Sequence, residues 1–289
     1  PLRAVGQVLT HRTPPDGLLA HPEHAVGVPA FLIGQGEVTY GEYLEFLLEL
    51  PEGEREAQRP HAGEIELELG RDGPILREGK RRALRGQPLC REGRPEGPRR
   101  CQDWLRLPVA GISWESAGTY LRWLGESGRV PGARLCSERE WERAARGADG
   151  RLFPHGDVLR PGDLNTLETY AGAPAQMGSD AVGSYLEDVS PFGVRDLGGN
   201  VREWVADDVD RAASHLRLCR GGNWNNDATN ARAANRNANV NVNDSVGLRA
   251  CAWVAPRTVR RGGPGLARIR GSTVLRTATS GACAVRSRL

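Results

Sequence analysis

The sequence has almost no lysine, little asparagine and a single methionine. Lys80 stands alone among 39 basic residues, Met177 is the one methionine, and only eleven of 289 residues are asparagine. Basic charge is therefore carried by arginine, and the formal net charge of +3 is too small and dispersed for a nucleic-acid face. No apolar run approaches the roughly 18 residues that a membrane span needs. The cysteines, Cys90, Cys101, Cys136, Cys219, Cys251 and Cys283, include no CxxC pair, which weakens a zinc or dithiol motif. Scarce lysine and asparagine suit a GC-rich genome, because their codons are adenine-rich. Few amides and one methionine also suit a thermophile. The chain opens on Pro1, as a processed or trimmed chain does. With no signal peptide in it, localisation stays open and the cytoplasm is the default expectation.

What is present is an ordinary globular composition, 39% hydrophobic and 26% charged, which places the chain among folded domains. Residues 1–27 lack a pattern and read as a loose N-terminal arm. VPAFLIG (28–34) reads as a strand. Thr39 then caps a predicted helix, with Glu42 closing a capping box and Val38 and Tyr43 placed as a hydrophobic staple. Tyr43, Phe46, Leu47 and Leu50 share one face of it, and Pro51 stops it. Residues 51–104 are charged and rich in Gly and Pro. They read as an insertion with a small hairpin, in which GEIELELG (63–70) alternates as a strand and Arg94–Arg100 forms an exposed loop.

Two further helices are signed by their caps. Ser113 caps one whose stripe is Ala117, Tyr120, Leu121 and Leu124. Ser137 caps the other, with Glu140 closing a second capping box, Cys136 and Trp141 at the staple positions and Gly147 as the stop. From Gly150 to about residue 250 no further helix is predicted, and ordered loop on that scale usually carries function. Cys136, Cys219 and Cys251 lie at apolar or arginine-flanked element edges and read as small buried hydrophobes. Cys90 and Cys101 can close a loop disulfide. Residues 255–289 read as a C-terminal extension, with STVLRTA (272–278) its one strand candidate.

Several phrases, in order over residues 25 to 252, carry a resemblance. They are FLIGQGEVTYGEYLEFL, PVAGISWESAGTYLRWL, RLCSEREWERAARG, LFPHGD, PFGVRDLGGNVREWVAD, RGGNW and GLRAC. Together they resemble the formylglycine-generating enzyme (sulfatase-modifying factor) family. The resemblance implies an α+β, loop-rich C-type lectin fold with few short strands and about three helices. It assigns that domain to residues 28–254, with 51–104 inserted and a variable region at 221–249.

The family's enzymes oxidise a substrate cysteine with copper held by two cysteines just after the RGGNW segment. Here that place reads Asn225, Asn226, Asp227, Ala228, Thr229, Asn230, Ala231. Cu(I) needs soft thiolate ligands, so formylglycine chemistry is not expected. Iron-dependent sulfoxide-synthase relatives add a histidine-bearing helical domain, whereas the six histidines here are scattered. The resemblance also implies a calcium site, the only cofactor in prospect. The carbonyls of Gly199 and Val201 and the carboxylate of Glu203 would supply its oxygen ligands, with Asn200 shaping the turn. Against calcium, Glu203 can pair with an arginine and Trp204 can be core. A second family calcium site would need Asn165 and a downstream acid, at a spacing that is not recognisable.

Nine of the eleven asparagines fall between residues 223 and 245. Asn235, Asn237, Asn239, Asn241 and Asn243 alternate with Arg236, Ala238, Val240 and Val242, so a period of two puts the amides on one face. Asparagine is a poor strand former, and an extended loop is the alternative. Either way the amides are expected outward, where donors and acceptors together make adaptable contacts. A low-complexity tract and a structural asparagine ladder are the competing readings.

The segment RGGNWNNDATNARAANRNANVNVNDSVGLR also resembles the variable region of proteins diversified by retroelements. In that family adenines of a template, mainly in AAC codons, are randomised, which turns Asn into Asp, Thr, Ser, Ala or Val among others. The resemblance implies a hypervariable ligand-binding protein without catalysis. Its binding residues would be Asn225, Asn226, Asp227, Thr229, Asn230, Asn235, Asn237, Asn239, Asn241, Asn243 and Ser245, with Trp224, Arg232, Arg236 and Arg249 supporting them. The partner would be an unidentified protein or other macromolecule. The alternative is a formylglycine-generating-enzyme-like oxidoreductase or a catalytically dead accessory or sensor relative.

Overall fold

The computed structural model describes residues 2–5, 9–10, 25–170, 173, 176–208, 217–239 and 242–254. Strand β1 (Leu2–Val5) is followed by the short pair β2 (Leu9–Thr10) and β3 (Ala25–Val26), then β4 (Phe31–Gly34). β1 pairs antiparallel with β4, from Leu2 opposite Gly34 to Val5 opposite Phe31. The start of the expected loose arm is therefore an edge strand. Four residues are too few to show a period in sequence, so long-range pairing alone defines it.

Helices α1 (Tyr40–Glu49) and α2 (Glu52–Gln58) come next. The capping box of Thr39 and Glu42 is formed. The second helix was not expected, because EGEREAQ has no apolar face. It starts at Pro51 with Glu52 and Glu54 in its first turn, where carboxylates suit the helix dipole. Arg55 of α2 donates to the carbonyls of Leu48 and Leu50, closing the end of α1.

The insertion is larger than a hairpin. Strands β5 (His61–Ala62), β6 (Ile65–Gly70), β7 (Gly73–Glu78) and β8 (Arg81–Leu84) make a four-stranded meander, and β9 (Pro88–Cys90) pairs with β10 (Cys101–Asp103). Its Ile65, Leu67, Leu76 and Ala83 join one core with Tyr43, Phe46 and Leu47 of α1. Helix α3 (Trp114–Glu126) adds Tyr120 and Leu121 to that core, and Tyr43 stacks on Tyr120 at 5.3 Å. A disulfide joins Cys90 to Cys101. In the enclosed loop residues 95–99 are exposed, as expected, whereas Arg94 at the start of that stretch is buried, as is Arg91 before it.

Beyond β11 (Ala133–Leu135), helix α4 (Glu138–Arg146) carries the second capping box and ends at Gly147 with φ +68°. The remaining strands are β12 (Arg202–Asp208), β13 (Arg217–Arg220), β14 (Arg236–Asn239), β15 (Val246–Leu248) and β16 (Ala250–Trp253). One sheet runs β1-β4-β16-β11 and another β14-β13-β12-β15. The second sheet is covered on both sides. Trp204, Cys219, Val246 and Leu248 enter the core of α1 and α3, while Val205 and Leu218 enter a second core with Phe31, Ile33 and Trp141.

Cys136 and Cys251 are buried, as expected, but not as separate hydrophobes. They are joined in a disulfide rather than packed as free thiols, and Cys219 is the free cysteine among the described residues. Four helices and several small sheets make a loop-rich α+β fold. These elements belong to the unit Pro1–Val254. The strand candidate at 272–278 lies outside the described residues.

Candidate functional site

The segment after β13 rests on a polar floor. Arg220 is fully buried and donates to Glu142 at 2.6 Å and to the carbonyls of Ala233, Ala234 and Asn235 at 3.2, 3.1 and 2.7 Å. One guanidinium thus gathers the backbone leading into β14, as its five-donor fork allows. Gly221 has φ +87°. At Gly222 a Cβ would stand 2.3 Å from the Gly198 carbonyl oxygen, so the two glycine turns interlock only without side chains. Asn200, with φ +68°, accepts the Trp224 amide on its carbonyl at 3.0 Å.

Above that floor the chain turns outward. Asp227 caps the 3-10 turn Ala228–Ala231, accepting from the Thr229 amide at 3.0 Å and from Asn230 Nδ2 at 2.9 Å. Thr229 holds its carboxyl below the usual range. Asn226 is tied to a neighbouring 3-10 turn, Leu167–Tyr170, through the Leu167 amide at 3.0 Å. Glu168 accepts the Ala228 amide at 2.9 Å. Asn225, Asp227 and Thr229 are exposed, while Asn226 and Asn230 are half-buried.

The second half of the segment behaves differently. Asn235 is buried and donates to the Asn230 carbonyl at 3.0 Å. Ser245 is buried between Asn223 and Asn243, at 2.9 and 3.0 Å. Asn237 and Asn243 are half-buried, and it is Ala238 and Val242 that are exposed. The expected outward row of amides is therefore not formed, because β14 lies against a sheet covered on both faces. Asn237 shares a face with Cys219, its partner in the register. Arg236, on the other face, donates to Glu138 at 2.9 Å. The Asn239 side chain and Asn241 lie outside the described residues. Among the described residues there is no amide ladder either. Asn223, Asn226, Asn235 and Asn237 each leave one buried amide atom without a hydrogen-bond partner among the described residues.

Glu203, the carboxylate expected to hold calcium, is already committed to other partners. Glu203 is buried, receives Arg249 Nε on both oxygens at 2.9 and 3.0 Å, and accepts the Trp141 indole N–H as well. A divalent ion there would meet a fixed guanidinium on a carboxylate already saturated. Gly199 packs against the Asn165 backbone, with a Cβ position only 2.6 Å from its carbonyl oxygen. The Val201 amide donates to Glu37 at 3.1 Å. Burial drives the carboxyls of Glu37 and Asp188 well above the ordinary range and Asp196 up to about 6.

A convergence that spacing hid involves Asn165 and Asp180. The Tyr170 hydroxyl bridges them, at 2.6 Å from Asn165 and 3.2 Å from Asp180. Arg94, delivered by the disulfide-closed loop, pairs with Asp180. A guanidinium occupies this second acidic seat too. Among the described residues no cluster of three His, Cys, Asp or Glu side chains is arranged to hold a metal. Burial pushes the Cys219 thiol up to about 11, which disfavours the thiolate that copper requires.

Residues 4–254 match the sulfatase-modifying factor enzyme 1-like domain. Inactive C-alpha-formylglycine-generating enzyme 2 of Mus musculus is 33% identical over 176 residues, 56% of this chain and 54% of that protein. The formylglycine-generating enzyme of Mycobacterium tuberculosis is 33% identical over 106 residues, 34% of this chain and 32% of that protein. The chain thus matches about half of the first relative's length and a third of the second's. Among solved structures, PvdO from Pseudomonas aeruginosa superposes with a TM-score of 0.60 at 24% identity, covering 88% of this chain and 94% of that one. Variable protein 1 of Treponema denticola also gives 0.60, at 15% identity, covering 88% and 95%. Those two likenesses concern the fold, which is the formylglycine-generating-enzyme type of C-type lectin fold. With a match that spans nearly all the described structure, the chain belongs to the sulfatase-modifying factor enzyme 1-like domain family.

Proposed function

We propose that this protein is a hypervariable ligand-binding protein of that family, diversified by a retroelement and without oxidase activity. The observation that carries the reading is the turn after RGGNW. Where the family's enzymes place copper cysteines, this chain exposes Asn225, Asp227 and Thr229 above a floor fixed by Arg220, Gly222 and the Glu203–Arg249 pair. Variation at the rim leaves that floor untouched. The partly unpaired amides of Asn223, Asn226, Asn235 and Asn237 support asparagine as a trace of coding rather than a structural need. The shared fold with a protein named for its variability agrees with this.

The binding face is Asn225, Asn226, Asp227, Thr229 and Asn230, with Asn237 and Asn243 at its margin and Asn235 and Ser245 beneath it. Asn239 and Asn241 belong to the proposal on sequence grounds. The partner is a protein or other macromolecule. With no Tyr or Trp among these positions, anchors of the hot-spot kind are missing from this version of the face.

Sequencing the locus in sister isolates tests the reading. Excess variation at 225, 227 and 229, beside a near-copy of codons 223–245 and a reverse-transcriptase gene, is the expected result; uniform codons there sink it. The second reading, an active oxidase, predicts oxygen consumption with copper and a cysteine-containing peptide. The catalytically dead relative of the same class, suggested by the inactive mouse homologue, predicts neither variation nor turnover.

A further inference from the structure

A cleft of about 700 Å³ opens between the disulfide-closed loop and the 3-10 turn that holds the 225–230 face. It is lined by Arg99 and Arg106, with Gln176, Thr169, Glu96 and Asp103 around them. We propose that this cleft binds an oxyanion, a carboxylate or phosphate group carried by the ligand, through Arg99 and Arg106.

The inference rests on which charges are already committed. Glu96 pairs with Arg100. Asp103 accepts the Leu105 amide at 3.1 Å as the cap of the following turn. The Thr169 hydroxyl donates to the Leu164 carbonyl at 2.6 Å. Arg94, deeper in the wall, is spent on Asp180 and on the carbonyls of Gln176, Arg99 and Gly178. Arg99 and Arg106 remain, both exposed, with no carboxylate partner among the described residues.

Arg99 is nevertheless held in place. Its guanidinium lies over the Tyr185 ring, 4.8 Å from the centroid, and Tyr185 is buried and donates to Asp180 at 2.8 Å. A stacked guanidinium keeps its edge N–H donors free for a planar oxyanion. Arg106 is fixed at its backbone, its carbonyl accepting the Val182 amide at 2.9 Å. Two cations with no ion-pair partner among the described residues, Arg99 stacked on a ring and Arg106 tethered at its backbone, in a cleft large enough for a small molecule or a side chain, describe an anion site. It stands on its own geometry and does not depend on the variable-face reading.

The test is calorimetric titration at low ionic strength with two probes, inorganic phosphate and a hexaglutamate peptide. Saturable binding of phosphate alone identifies a free oxyanion as the source. Peptide binding that phosphate displaces identifies an acidic protein segment. In either case Arg99→Gln and Arg106→Gln should each weaken binding about tenfold, as loss of a charge-assisted hydrogen bond does, with unchanged thermal midpoints. Arg160→Gln, an exposed arginine outside the cleft, should leave affinity unchanged. Absence of saturable binding for both probes overturns the proposal, as does an equal loss in Arg160→Gln.

Discussion

The turn at 225–230 and the segment at 235–245 share a composition and treat it in opposite ways. In the turn, the fold grips the backbone through Leu167, Glu168 and Asp227 and leaves the side chains of Asn225, Asp227 and Thr229 outside. In the segment, β14 joins a sheet with a core on each side, and Asn235 and Ser245 are drawn under the surface. Residue type alone therefore does not mark a binding position. What marks it is whether the backbone is held by its neighbours while the side chain is not.

The comparison breaks first at its floor. Arg220→Ala would leave the carbonyls of Ala233, Ala234 and Asn235 without their buried donor, while Glu138 keeps Arg236 and Glu142 keeps Arg146, and is expected to cost on the order of 3 kcal/mol, read as a fall in the denaturation midpoint. A midpoint within error of the parent would show that the floor does not carry the turn.

Protonation separates floor from rim next. Asp196 has a folded value of about 6 against an ordinary 3.8. The folded state therefore holds a proton that the unfolded state has released, and its contribution is present below about pH 4 and lost as pH rises to about 6. Its scale is about 3 kcal/mol at most. Glu37 and Asp188, also raised, act in the same sense. Asp227 on the rim is lowered and contributes in the other direction, its stabilisation being lost as pH falls below 4. Chemical denaturation from pH 3.5 to 7 should show the stability of Asp196→Asn rising relative to the parent between about pH 4 and 6.

Asn235→Ala should cost about 1–2 kcal/mol by removing the buried hydrogen bond to Asn230. Asn225→Ala and Thr229→Ala should each stay within about 0.5 kcal/mol, as exposed substitutions do. Thermal melts of the three variants measure the contrast. If Asn225→Ala destabilised as much as Asn235→Ala, the distinction between the two halves would be lost.

The helices were legible because their ends are written locally. Thr39 with Glu42 and Ser137 with Glu140 signal their own caps, and both boxes are formed. Helix α2 has no apolar stripe and was invisible to periodicity. Residues 225–231, just after RGGNW, contain no cysteine, so the departure from the copper site that the resemblance implies is visible in a single phrase. Burial of the amides is not, because alternation gives two faces without saying which is covered, and here Ala238 and Val242 are exposed while Asn235 is buried. Cys136–Cys251 and Arg94–Asp180 are long-range meetings, separated by 115 residues in the disulfide, about which local pattern is silent.

That disulfide has a consequence for evolvability. It ties Cys136, two residues before α4, to β16, so the whole of 223–245 lies inside one covalent ring. In the chain-entropy view a ring of this size stabilises the fold by on the order of 4–5 kcal/mol. Random replacement at several positions typically costs about 1 kcal/mol each. If the segment is diversified as proposed, the clasp would hold a reserve of stability outside it, against which several poor replacements could be tolerated at once.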